Sequence, residues 1–159
     1  MSNPRSEAAR RVKILLSGIA GVDQIYVSRI WPLDLESGMC LCIYSPSETL
    51  TRSGGNRPGT RRTTRLMNVR AVLIAPAPST PDEAFEDRIA DVASTIEERI
   101  CSNPHLRLPG GAAWSRDTEL KQVGSGFDAS NPRLVIQSLD FLVTADHLEG
   151  QPRTLFTAS

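Results

Sequence analysis

Cysteine is scarce and odd in number. Cys40, Cys42 and Cys101 form no spaced framework, so the sequence favours a reduced, intracellular assembly environment over secretion through disulfides. Histidine is limited to His105 and His147, which leaves little for a metal centre or a catalytic base. Net charge is absent too: 18 basic residues balance 18 acidic ones, so bulk charge does not make the molecule a polyanion binder. No apolar run approaches the roughly 18 residues of a membrane span, and no membrane contact is expected. The stretch 14–22 follows basic residues as a signal peptide would. It is short, however, contains Ser17, Gly18 and Gly21, and continues the periodicity that precedes it. No internal repeat is found. What remains, at 40% hydrophobic and 23% charged, is the composition of a globular chain that can bury a core, and 159 residues suit one domain.

The clearest positive signal lies at 80–103. Thr80 with Glu83 three residues on, and Pro81 between them, reads as a capping box with a first-turn proline. Phe85, Ile89, Val92, Ile96 and Ile100 then recur every three or four residues, one apolar stripe along a helix that Asn103-Pro104 ends. Asn3-Pro4 starts another helix of about four turns, with Ala8, Val12, Leu15, Leu16 and Ile19 on its apolar face and Gly18 and Gly21 as its stop.

Strands are expected at 25–30, 39–45, 65–75, 115–123 and 134–144. The second alternates apolar residues on both faces (Met39, Leu41, Ile43 against Cys40, Cys42, Tyr44), as a central strand does. The third presents Met67, Val69, Ala71 and Leu73 on one face, with Arg70 interrupting the other. The fourth is polar enough for an edge. The last points Val135, Leu139, Phe141 and Val143 inward and Ser138 and Asp140 outward. Residues 46–64, where Ser, Thr, Gly and Pro alternate with arginine, read as a long flexible basic loop. The order α-β-β-β-α-β-β predicts an α+β fold: a twisted, mainly antiparallel five-stranded sheet with both helices packed on one face. The expected domain is 1–145. A tail, 146–159, follows, with Leu155 and Phe156 as an apolar hook for a partner and His147 as a lone surface histidine.

Few residues suggest chemistry. Cys40, Cys42, Cys101 and His105 are the only grouping with metal-ligand character, and Cys-x-Cys on a buried strand is ordinarily two small core residues. Gly54-Gly55-Asn56-Arg57-Pro58-Gly59-Thr60 has the glycines of a phosphate loop but neither its lysine nor a following helix. Gly124-Ser125-Gly126 falls short of a nucleophile elbow. Glu119 and Asp140 could meet across strands as a carboxylate pair, with no base to complete them. The expectation is of no enzyme, no cofactor and no metal.

Charge is balanced overall and uneven locally. Arg52, Arg57, Arg61, Arg62 and Arg65 crowd the 46–64 region with only Glu48 opposing them. The acidic helix carries Asp82, Glu83, Glu86, Asp87 and Asp91, with Glu97 and Glu98 further on, against Arg88 and Arg99. Both sets could simply be solvated. Alternatively, the basic arm of one copy grips the acidic helix of the next, arginine forks matching carboxylates, in a contact that closes into a ring or runs on as a filament. A third reading makes the arm a nonspecific DNA contact, although no aromatic is interleaved in it for base stacking.

The order of elements, with Tyr26-Val27-Ser28-Arg29-Ile30-Trp31-Pro32-Leu33, the strand ending Tyr44-Ser45, the strand 66–74, the acidic helix and the segment 119–143, resembles the tail terminator proteins of long-tailed bacteriophages, the minor tail protein U type, over residues 8–145. That resemblance implies a hexameric ring that caps the tail tube, ends its polymerisation and offers a surface to the head. It implies as partners the tail tube protein, a head–tail connector or neck protein and, in the lumen, passing DNA. It implies a place at the tail–neck junction of a virion assembled in the host cytoplasm. It carries over no catalytic residues. Another neck or head–tail joining protein, or a basic-arm DNA-binding module, is the alternative.

Overall fold

The structure, a computed structural model, describes residues 3–27, 38–55, 57, 61–80, 82–127, 133–148 and 155–156. Its elements run α1 (Pro4–Leu15), β1 (Gln24–Tyr26), β2 (Cys40–Ser53), β3 (Arg62–Pro76), α2 (Glu83–Cys101), β4 (Asp117–Phe127), β5 (Leu134–Leu148) and β6 (Leu155–Phe156). The fold is α+β in the expected order, with the two-residue β6 added at the end. The sheet order is β1-β2-β3-β5-β4, with β6 also on β5.

The N-terminal cap is as the residues suggest: the Arg5 amide donates to Asn3 Oδ1 at 2.9 Å, with Pro4 in the first turn. α1 is 12 residues long, shorter than the expected four turns. Leu16 and Ile19 still bury, but in the turn where Gly18 and Gly21 adopt φ of 74° and 89°. The second helix starts later than its capping-box signature predicts. Asp82, in extended backbone, accepts the Ala84 amide at 3.0 Å, so the cap is a carboxylate that also faces the positive end of the helix dipole. Pro81 lies outside the described residues. The whole predicted stripe, Phe85, Ile89, Val92, Ile96 and Ile100, is buried.

β2 pairs antiparallel with β3, β3 with β5, and β5 with β4. β1 departs from the expected hairpin pattern and runs parallel to β2. Asp23 explains this. Its amide donates to Met39 O at 2.8 Å and its Oδ2 accepts the Met39 amide at 2.9 Å, which locks the start of β1 beside the start of β2. A Cβ on Gly38 would collide with that carboxylate.

Both helices lie on one face of the sheet. Their apolar sides join Leu41, Ile43, Met67, Val69, Ala71, Leu73, Leu139, Phe141 and Val143 in a single core. The opposite face holds a smaller cluster, Cys40, Cys42, Val72 and Ile74, so β2 is apolar on both sides as predicted. Among the described residues β4 pairs only with β5 and is an edge; it continues to Phe127, into the expected 124–132 connection, of which 128–132 lie outside the described residues.

The 46–64 region is the main correction. Residues 46–53 and 62–64 are not loop but the far half of a hairpin: after a bulge between Tyr44 and Ser47, β2 continues to Ser53, paired with a β3 that begins at Arg62. Threonine favours strands, and Thr49, Thr51, Thr63 and Thr64 sit within this ribbon. β5 likewise runs past 144 to Leu148, so Asp146 and His147, expected in a loose tail, are each only 2% exposed. β6 pairs with Asp146 and His147 and continues the edge begun by β4.

Candidate assembly surfaces

Alternation along β3 assigns the ribbon's side chains to faces. Thr63 and Arg65 share the helix-side face with Met67 and Val69, whereas Arg62, Thr64 and Arg70 share the opposite face with Val72 and Ile74. On the helix side Arg65 is clamped. Its Nη1 meets Glu48 Oε2 at 2.7 Å and its Nε donates to His147 Nε2 at 2.7 Å. Only 12% of the Arg65 side chain is exposed. It therefore holds the ribbon to β5.

On the other face, Asp146 gathers three donors. Arg62 Nη2 lies at 2.7 Å, Thr64 Oγ1 at 2.6 Å and Arg116 Nη1 at 3.4 Å. Burial pushes this carboxyl's pKa up, but the hydrogen bonds from Thr64 and Arg62 and the two guanidinium charges outweigh it and hold it below the ordinary value. Further along the same face, Arg70 grips Asp140 with two hydrogen bonds of 2.6 and 2.8 Å. Glu119 instead pairs with Lys121, so the expected Glu119–Asp140 meeting does not occur.

Towards the ribbon's end, Arg52 and Arg57 are exposed, and Arg61 reaches Gly55 O at 3.3 Å. Gly54 and Gly55 both take φ of 70°, backbone that favours glycine. Of the glycine-rich string there, Asn56, Pro58, Gly59 and Thr60 lie outside the described residues. Gly124-Ser125-Gly126 is plain strand opposite Ser138, Gln137 and Ile136. Cys40 and Cys42 are buried, with Cys42 held protonated by its hydrogen bond to Cys40 and by burial, while Cys101 is exposed. No group of three metal-ligating side chains occurs among the described residues, and no described helix is long and apolar enough to cross a membrane.

The acidic set forms a second surface. Asp82, Glu83, Glu86, Asp87 and Asp91 are all exposed, and Asp82 is partly used as the cap. Arg88 lies among them with its guanidinium 5.8 Å from the Phe85 ring centroid. Among the described residues the basic and acidic surfaces lie at opposite ends of the sheet. Phe85, Asp91 and Val92 border the same cleft as Met39 and Pro76, at the start of β2 and the end of β3. The arginines sit where β2 ends and β3 begins, at the Ser53–Arg62 pair. At about 3.3 Å per residue the two ends of β2 are roughly 40 Å apart.

Sequence reasoning found both charged sets but missed the anchors, Asp146, His147 and Arg116. The available signal was a strand-like run of alternating residues through 142–148 that the polar 146–147 pair disguises as a strand end.

Comparison with protein-family models finds no match. Comparison with curated proteins finds none either. Among solved structures, a chain of the virion of a native gene transfer agent (GTA) particle aligns over 92% of this chain and 99% of its own length, at 10% sequence identity and a TM-score of 0.49.

Proposed function

We propose that the protein is a structural component of a phage-like virion that acts by self-association, and specifically a tail terminator: a ring that caps a tail tube, stops its growth and presents a surface to the head. The observation that carries this reading is the separation of charge. A basic ribbon end and an acidic helix face lie at opposite ends of one sheet, and each is opposite in charge to its counterpart on a neighbouring copy. A contact between two different patches is head-to-tail, and head-to-tail contacts close into rings or propagate as filaments. Ending a polymer also needs two unlike faces, one complementary to the last tube ring and one that templates nothing further. The two faces of this sheet are unlike, one packed under α1 and α2 and the other carrying the small Cys40, Cys42, Val72 and Ile74 cluster. In this reading Arg52, Arg57, Arg61 and Arg62 meet Asp82, Glu83, Glu86, Asp87 and Asp91, and no residue turns over a substrate. The tube protein and a neck protein are the partners, and the tail–neck junction is the location.

Light scattering on the Arg57→Glu/Arg61→Glu variant tests it. These residues are chosen because Arg62 and Arg65 also hold β5, so their loss would confuse assembly with folding. Wild type is expected to form a closed species several times the 17.3 kDa chain mass, and the variant to remain monomeric. A monomeric wild type at millimolar concentration, or an unaffected variant, would sink the proposal.

A further inference from the structure

Between the turn that follows α1, the start of β2, the end of β3 and the first half of α2 lies a cleft of about 650 Å³. Its walls are largely apolar, with Met39, Pro76, Phe85 and Val92 contributing, and Asp23 and Asp91 add carboxylates. We infer that this cleft is the seat for the ribbon end of a second copy of the chain, which it receives with arginine stems along the apolar wall and guanidinium groups on the carboxylates. The inference rests on the self-association proposed above and deepens it from a charged face to one defined pocket.

Three observations converge on that occupant. The first is charge: the α2 half that borders the cleft carries Asp82, Glu83, Glu86, Asp87 and Asp91 against Arg88, and the ribbon end carries Arg52, Arg57, Arg61 and Arg62. The second is the chemistry of the wall. Arginine is an apolar stem with a charged planar head, and such side chains lie along apolar surface with the head at its rim. This wall already holds one guanidinium in that manner, Arg88 over the Phe85 ring at 5.8 Å. Beside apolar walls an arginine–carboxylate pair is less screened than on an open helix surface, which makes the cleft a better seat than the α2 face alone. The third is shape and placement. The ribbon ends where Ser53 of β2 pairs with Arg62 of β3, with Leu148 of β5 on the other side of Arg62. It lies at the opposite end of the sheet from the cleft, so one copy cannot fill its own pocket.

Cysteine cross-linking between copies locates the seat. In a Cys101→Ser background, where Cys40 and Cys42 are buried, Arg57→Cys copies are mixed with Asp91→Cys copies or with Glu98→Cys copies. Glu98 lies seven residues further along α2 on the same face, about 10 Å away, and is exposed but does not border the cleft. The Asp91 mixture is expected to form the inter-copy disulfide at least tenfold faster than the Glu98 mixture. Independently, Thr95→Trp, which fills the cleft from a half-buried helix position, is expected to weaken assembly at least tenfold while the circular dichroism melt stays cooperative. If the chain assembles but both mixtures cross-link equally, or Thr95→Trp assembles as wild type does, the cleft is not the seat although self-association stands. If light scattering finds wild type only as a monomer, both fall.

Discussion

The same three strands, β2, β3 and β5, are held together in two different ways along their length. In the half nearer α2, Ile43, Leu73, Leu139 and Phe141 are at most 1% exposed beneath the helices, and stability comes from apolar area and close packing. In the ribbon half no helix stripe reaches, and polar pairs take over: Arg65 with Glu48 and His147 on one face, Asp146 with Arg62, Thr64 and Arg116 on the other. The first kind of bonding is nondirectional and indifferent to salt. The second is geometric, salt-sensitive and dependent on protonation. A sheet that carries both can keep a firm body while presenting a charged, adjustable extremity.

Substitutions should separate the halves in order of effect. Phe141→Ala removes a fully buried ring and is expected to cost about 3–5 kcal/mol in chemical denaturation, lowering protection from hydrogen exchange throughout the sheet. A loss confined to the ribbon would contradict the division. Asp146→Asn is expected to cost about 1–3 kcal/mol, because it weakens hydrogen bonds to a buried charge. Protection should fall at 62–66 and 146–148 first, with α2 little changed.

Acid should reproduce the second variant. The Asp146 pKa is depressed in the folded state from an ordinary 3.8. Its contribution is therefore complete above that value and is lost as pH falls through the lower folded value. The difference in melting temperature between wild type and Asp146→Asn should be constant near neutral pH and shrink below about pH 4. A gap that widens on acidification would reverse the assignment. The smallest effect belongs to Lys121→Ala, which removes a pair with both side chains about half exposed and is expected to change stability by less than about 0.5 kcal/mol.

The division between halves is also the division between what could and could not be read in the residues. The packed half announces itself: the α2 stripe at helical spacing, the two-sided apolar run of β2 and the inward alternation of β5 are hydrophobic patterns with one structural solution. The ribbon has no such pattern. Thr49 to Ser53 and Arg62 to Thr64 are polar apart from an exposed Leu50, and interspersed glycine and proline give the composition of a loop. What makes them strands is pairing with β5 through Asp146 and His147, residues more than 80 positions away in the chain from their partners Arg62, Thr64 and Arg65. The parallel β1 is hidden for the same reason, since it depends on one carboxylate, Asp23, meeting one amide, Met39. The charged sets of the candidate surface were legible as composition. That Arg65 meets Glu48 and His147, and that the two surfaces lie at opposite ends of the sheet, required the register.

Complementation between two reversed copies tests the head-to-tail contact most directly. One copy carries Arg57→Glu/Arg61→Glu, the other Asp87→Arg/Asp91→Arg. In the first alone an acidic ribbon would meet an acidic helix, and in the second a basic ribbon a basic helix. Each is expected to scatter light as a 17.3 kDa monomer, and an equimolar mixture to recover the wild-type mass with the two copies alternating. A mixture that stays monomeric beside an assembling wild type, or either variant assembling alone, would contradict the account.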